Sequence, residues 1–167
     1  DHSKRDLATS YGLPPEKIHI AANALPERRS WETKTQPNPF FRLTSGAPYF
    51  AYIGAIHKRK NLARLMAAFQ RFVACSGSDH HLIIAGEATG HYRKEWALVT
   101  SSIDKSRIHL TGRLSEKEKY VLLSGAQAMV CPSLYEGFGI PILEAFSAGT
   151  PVLCSNRTSL PEVAGDA

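Results

Sequence analysis

The sequence predicts an α/β fold, a Rossmann-like parallel sheet with helices on both faces, and three observations carry that expectation. From Pro48 onward, short apolar runs of strand length alternate with segments whose apolar residues recur at three- and four-residue intervals. Glycines follow three of those runs, at Gly54, Gly86 and Gly112, where a strand must give way to a turn. The connections are short, and strands alternating with helices over short loops build parallel sheets that bind ligands at the carboxyl ends of their strands. With 43% hydrophobic residues in a chain of 167, about two-thirds of the unfolded surface is buried, enough for one core.

Taken in order, Ser3 to Tyr11 reads as a short helix, stopped by Gly12 and the Pro14-Pro15 pair. Glu16-Lys17 leads into a strand expected over Ile18 to Ala22. Between Pro26 and Ala47 the chain is polar and broken by Pro37, Pro39 and Gly46, which predicts a long loop pinned by Trp31, Phe40 and Phe41. Tyr49 to Ile53 is a buried strand and Gly54 to Lys60 a loop. Asn61 is then the N-cap of a helix carrying Leu62, Leu65, Met66, Phe69, Phe72 and Val73 at helical spacing. A strand at Leu82 to Ala85, a helix near His91 to Ser101 and a strand at Ile108 to Thr111 follow. Ser115-Glu116-Lys117-Glu118 has the capping-box pattern for a helix ending near Gly125. Ala128 to Cys131 is a buried strand that Pro132 ends, because proline brings no N–H to a ladder. Pro141 suits the first turn of a helix that Gly149-Thr150-Pro151 stops, and Val152 to Ser155 is the last strand.

Lys and Arg number 20 against 15 acidic residues, a net charge of +5. The dense basic cluster, His57-Lys58-Arg59-Lys60, follows a strand at the start of a helix, a position suited to phosphate. No basic run is interleaved with stacking aromatics, which sets nucleic acid aside. Cys75, Cys131 and Cys154 are an odd number without C-x-x-C spacing and read as buried reduced thiols. His80-His81 reads as a solvated pair, and the seven histidines lack ligand spacing, so no metal is assigned. No apolar run reaches the length of a membrane span and no secretory signal opens the chain, so a soluble intracellular protein is expected.

The chemistry gathers between Val130 and Phe146. Gly137 and Gly139 bracket Phe138 in a turn that lets backbone approach a ligand, and the helix after it presents free N–H groups and partial positive charge. Glu136 and Glu144 frame this turn. Carboxylates are repelled by phosphate, so their work is to accept hydrogen bonds from hydroxyls, which sugars and ribose supply. The dinucleotide fingerprint fails because Ile142 stands at its third glycine position, which sets aside a nicotinamide-dependent oxidoreductase.

Glu136-Gly137-Phe138-Gly139 with Glu144, Ala148-Gly149-Thr150-Pro151-Val152 and Ser159-Leu160-Pro161-Glu162-Val163 resemble the retaining glycosyltransferases of family 4, which have the GT-B fold. Tyr52-Ile53-Gly54, Arg59-Lys60-Asn61-Leu62 and Gly112 follow the family's order upstream, so the resemblance runs from about Ser3 to Ala167. It implies that residues 1–26 end an N-terminal domain and form the interdomain linker. Residues 27–167 would be the C-terminal nucleotide-sugar (donor)-binding domain, cut before a further strand and helices.

By the same resemblance, Arg59 and Lys60 stabilise the donor diphosphate, Glu136 accepts hydrogen bonds from the transferred sugar, and Glu144 holds the ribose hydroxyls. Gly137 and the backbone N–H groups of Phe138, Gly139 and Ile140 would meet phosphate and sugar, Gly112 and Leu114 would border the base, and Gly54 would admit the diphosphate. Plain readings stand beside these: a solvated helix start for Arg59-Lys60, an exposed helix residue for Glu144, a tight turn for Gly54. Lys58 replaces a proline frequent in the family and Ala55 a hydroxyl residue or arginine. The implied reaction is transfer of a hexose with retention by a same-face route, without a metal and without Glu136 as nucleophile. The donor is expected to be GDP-mannose, with UDP-glucose or another nucleotide hexose behind it. The acceptor would be a glycan or lipid-linked molecule held by the missing N-terminal domain, in polysaccharide biosynthesis at a cytoplasmic or inner-membrane-peripheral location, and this stretch alone would be inactive in transfer. The alternative class is a nucleotide-binding module without transferase activity.

Overall fold

The computed structural model describes residues 2–25, 38–101 and 103–165. In chain order they form α1 (His2–Tyr11), α2 (Phe40–Leu43), β1 (Tyr49–Ile53), α3 (Leu62–Ser76), β2 (His81–Ala85), α4 (Tyr92–Ser101), β3 (Ile108–Gly112), α5 (Glu116–Ser124), β4 (Ala128–Cys131), α6 (Ile140–Ser147), β5 (Val152–Cys154) and α7 (Leu160–Ala164). Short 3₁₀ turns lie at Pro15–Lys17 and Lys58–Lys60.

Strand order is β3-β2-β1-β4-β5, and every pairing is parallel. The chain walks outward from β1 through β2 to β3, then α5 carries it back across to the other side of β1. That reversal sends helices to opposite faces. Tyr52, Leu82 and Ile84 pack with Leu62, Met66 and Phe69 of α3 and with Tyr92 and Trp96 of α4. Tyr49, Ala51, Ile53, Ile83 and Met129 pack with Leu122 and Leu123 of α5, Ile142 and Ala145 of α6, and Leu160 of α7. Strands covered on both faces have no polar side to show, which is why they read as unbroken apolar runs. Leu82, Ile83 and Ile84 are 0% exposed, each worth about 1.5–3 kcal/mol of burial.

The capping box acts as expected, and a glycine closes α3. Ser115 and Glu118 form the capping box: Glu118 N–H donates to Ser115 Oγ, and Ser115 N–H donates to Glu118 Oε2 at 2.8 Å. Gly77, left-handed at φ +64°, ends α3 by donating its N–H to Val73 O at 3.0 Å.

Other expectations are corrected. Ile18 to Ala22 form no strand; they line a cavity together with Gly137, Phe138 and Leu143, and without a strand beside them among the described residues no ladder forms. The long loop expected from Pro26 to Ala47 contains α2, begun where Phe40 N–H donates to Asn38 Oδ1 at 2.9 Å. Phe40 is buried and Phe41 meets Tyr49 edge to face at 5.8 Å, so both pin this segment; Trp31, Pro37 and the boundary between 26 and 27 lie outside the described residues. All three cysteines are free, but Cys75 is exposed and Cys154 half-buried, and Cys131 alone is buried. Cys154 lies on a sheet-edge strand of three residues, which no further strand covers among the described residues.

The histidine pair is not simply solvated either. His80 stacks on Phe50 at 5.1 Å, and His81 stacks on His109 of the neighbouring strand at 5.1 Å with Nδ1 and Nε2 2.8 Å apart. Burial pushes both imidazoles below the usual histidine range, and for His81 the His109 and Arg107 charges add to it. The unfolded chain therefore takes up protons first. Stability should be complete above pH ~6.5, the ordinary histidine value, and fall as pH drops below it. Urea midpoints at pH 7.5 and 5.5 should differ in that sense, and His109→Gln should shrink the difference.

At the carboxyl edge of the sheet, Gly54 N–H donates to Ala85 O at 3.0 Å and Gly86 N–H to Gly112 O at 2.8 Å. Gly86 has φ +150°, and a Cβ there would sit 1.9 Å from Gly54 O. Gly86→Ala should cost about 2–4 kcal/mol, from backbone strain and overpacking together, measured as a lower denaturation midpoint.

Candidate functional site

The strand order reverses between β1 and β4, and the crevice outside the carboxyl ends of strands at such a reversal is where open α/β sheets bind ligands. From β1 the chain leads through Gly54 to the Lys58–Lys60 turn; from β4 it leads through Pro132 to residues 133–139. Backbone stitches the two together, with Leu134 N–H donating to Arg59 O at 2.8 Å. Asn61 occupies the N-cap position of α3 at φ +60° but gives α3 no side-chain bond. Its amide donates instead to Pro132 O at 3.2 Å, so the expected helix cap serves the β4 loop.

Glu136 is the centre of this junction and is 6% exposed. Its carboxylate accepts hydrogen bonds from Lys60 Nζ, from Ser133 Oγ at 2.7 Å and from Arg59 Nη1 at 3.1 Å. Burial pushes the Glu136 carboxyl up, but the bonds from Lys60 and Ser133 and the Lys60 and Arg59 charges outweigh it and hold the pKa below the usual value. Lys60 is itself 8% exposed, whereas the Arg59 side chain is 45% exposed. Lys60 thus neutralises the buried carboxylate, and the half-exposed Arg59 guanidinium, which also donates to Tyr135 O at 3.0 Å, keeps further N–H groups to offer.

The Glu136 backbone is pinned as well. Its N–H donates to Thr158 Oγ1 at 3.0 Å, and Ser159 Oγ lies 2.9 Å from both Glu136 O and Phe138 O as donor. Thr158 has φ +55°, a conformation that costs a β-branched residue of order 1–3 kcal/mol and that neighbouring contacts must hold. Tyr52 underlies the cluster and donates to Ala55 O at 3.1 Å; burial above all pushes its phenol pKa up, so it stays neutral.

Beside this junction, a cavity of about 340 Å³ is lined by Gly54, Gly86, Glu87, Arg113, Leu114 and Lys119 among others. Lys119 Nζ pairs with Glu144 and with Glu116, each at 2.8 Å. Burial pulls the Lys119 pKa down, but the bonds to Glu116 and Glu144 outweigh it and hold it above its usual value. Glu144, with a side chain 19% exposed, takes up charge that Lys119 would otherwise present to solvent.

The structure therefore joins Arg59, Lys60 and Glu136 in one network, places Gly54 and Leu114 on the cavity wall, and ties Glu144 to that wall through Lys119. Gly112 ends β3 at φ +74° and lends its carbonyl to Gly86. Gly137 and Phe138 line a separate cavity of about 550 Å³ beside α1 and residues 18–23, and α1 reaches this loop through Ser3 Oγ and Gly137 O at 3.4 Å. Gly139, at φ +110°, is the N-cap of α6 with no side-chain bond, and Ile140 is 45% exposed. No site role is read from the sequence for Ser133, Thr158 or Lys119, nor for Ser159, which stands there only within a motif. A hydroxyl three residues before Glu136 was a usable signal for Ser133; nothing local pairs Lys119 with Glu144. Among the described residues, no three His, Cys, Asp or Glu side chains gather as a metal site, and no helix is long and apolar enough to cross a membrane.

Residues 36–167 match the family model described as Glycosyl transferases group 1. The O-antigen chain mannosyltransferase B of Escherichia coli is 41% identical over 119 residues, covering 71% of this chain and 31% of that protein. The structure of WaaG, a glycosyltransferase involved in lipopolysaccharide biosynthesis, is similar with a TM-score of 0.71 at 21% identity, over 96% of this chain and 44% of that one. Anabaena Alr3699/HepE in complex with UDP and glucose is similar with a TM-score of 0.66 at 18% identity, over 78% of this chain and 37% of that one. The chain spans less than half the length of the curated relatives it matches.

Removing Lys60 should leave the buried carboxylate with only the half-exposed Arg59 as countercharge. Lys60→Met is expected to destabilise by about 3–5 kcal/mol, the usual effect of breaking a buried ion pair from one side. Combining it with Glu136→Gln should restore part of the loss, because the carboxylate charge is gone; guanidinium titrations of both variants measure this.

Proposed function

The chain belongs to the group 1 glycosyl transferases, and we propose that within that family it binds the nucleotide-sugar donor of a retaining hexosyltransferase. The preferred donor is GDP-mannose, a reading supported by the mannosyltransferase at 41% identity; the UDP and glucose of the HepE complex keep a uridine donor next in line. The acceptor is a glycan or a lipid-linked molecule. One observation carries the proposal: a buried, ionised Glu136 held by Lys60, Ser133 and a half-exposed Arg59 at the strand reversal, beside a cavity walled by glycines and Lys119.

Each residue then has a role. Negative charge grows on the leaving nucleoside diphosphate, and Arg59 with the N-terminal N–H groups of α6, left without a side-chain cap at Gly139, would stabilise it. Fixed cations in that position make a divalent metal unnecessary. Lys60, spent on Glu136, acts by keeping that carboxylate ionised and aimed. A carboxylate has about four lone-pair sites; protein donors occupy three at Glu136, leaving one for a hydroxyl of the transferred sugar. So engaged, Glu136 is a poor nucleophile, in keeping with same-face transfer. Glu144, paired with Lys119, would accept the ribose hydroxyls.

Calorimetric titration with GDP, UDP, dTDP and NAD tests this. GDP should bind with the same affinity in excess chelator, and NAD should not bind. Arg59→Ala should weaken GDP by about 1.5–3 kcal/mol, the worth of charge-assisted hydrogen bonds. A requirement for magnesium or manganese, or preference for NAD, would refute the assignment.

A further inference from the structure

Strand β5 has three residues, and its register against β4 sets Met129 opposite Val152, Val130 opposite Leu153 and Cys131 opposite Cys154. Partners in register on parallel strands point to the same face of a sheet. Burial identifies that face here: Met129 and Cys131 belong to the core beneath α6, Val152 and Cys154 pack on the same core, and Leu153 between them points away, 57% exposed. Backbone bonds on either side hold the register, from Met129 N–H to Pro151 O at 2.8 Å and from Ser155 N–H to Cys131 O at 3.1 Å. Both thiols are free. Neighbouring strands run about 4.8 Å apart, inside the Cα separation of about 4.4–6.8 Å that a disulfide spans.

We propose that Cys131 and Cys154 form a site of reversible covalent modification, in which a small-molecule disulfide converts the two thiols into a bond clamping edge strand β5 to β4. Cys154, the half-buried partner, reacts first. Its thiolate attacks one sulfur of the small disulfide, expels one thiol and leaves a mixed disulfide. The Cys131 thiolate then attacks the Cys154 sulfur and expels the second thiol. The protein loses two electrons and two protons, and the small disulfide is reduced to two thiols. Burial pushes both cysteine pKa values up, so the exchange is slow at neutral pH and quickens with alkalinity. A disulfide also brings Cβ atoms to about 3.8 Å, closer than strand spacing; β5 must shift to close it, and the resulting strain makes the bond easy to reduce. Cys131 Sγ lies 3.9 Å from Ser133 Oγ, which donates to Glu136, so the clamp sits at the root of the site loop.

The test uses the Cys75→Ser chain, to remove the exposed thiol, incubated folded with oxidised glutathione, quenched with N-ethylmaleimide and digested without reductant. Mass spectrometry should find a Cys131–Cys154 linked peptide pair that dithiothreitol abolishes, forming faster at pH 8.5 than at pH 7. With Cys131→Ala added, the reaction should stop at a glutathione adduct on Cys154. A persistent adduct on Cys154 in the Cys75→Ser chain, two alkylated thiols, or linkage formed only in urea would each overturn the proposal. The Cys75→Ser result stands even if the Cys131→Ala chain fails to fold.

Discussion

Glu136 is ionised in the interior of this protein because Lys60 and Arg59 reach it from the other side of the strand reversal. An unpaired carboxylate buried to that degree would cost several kcal/mol, so the loop after β1 and the loop after β4 are bound to each other by necessity. Much of the surrounding structure serves that contact. Asn61 gives up capping α3 to hold Pro132, Thr158 adopts a strained backbone to receive the Glu136 N–H, and Ser159 fastens the carbonyls on either side of Gly137. Among the described residues, two of the three non-glycine residues at positive φ, Asn61 and Thr158, are spent on this one loop.

The same constraint divides the electrostatics. Lys60 and Glu136 cancel, as do Lys119 and Glu144, although Lys119 is shared with Glu116. Arg59, half-exposed and bonded to Glu136 and to Tyr135 O, adds a second positive charge to the one carboxylate, and Arg113 lines the neighbouring cavity. The chain's net charge of +5 is thus a poor guide to the site, where most charge is consumed in holding acceptors in place. Opposite this edge, the amino ends of β2 and β3 hold a stacked, half-buried pair of histidines away from the site, and their consequence is for stability.

Periodicity and punctuation alone determined the fold class, the five strands, their approximate limits and the capping box of α5, because these depend on contacts within a few residues or on which face is buried. Motif resemblance determined the family, and the family match over residues 36–167 agrees with it. Tertiary structure decided the rest. Ile18 to Ala22 had the composition of a strand but no strand beside it among the described residues; α2 was hidden in a polar stretch because its start depends on an Asn38 side chain; His81 is half-buried because a histidine on another strand stacks on it. Whether Lys60 faced water or a carboxylate depended on residues 76 positions away, and Lys119 met Glu144 across 25. Local composition names the charged residues of a site, but which of them cancel is settled by the strand order, since only the fold brings β1 beside β4 and α5 beside α6.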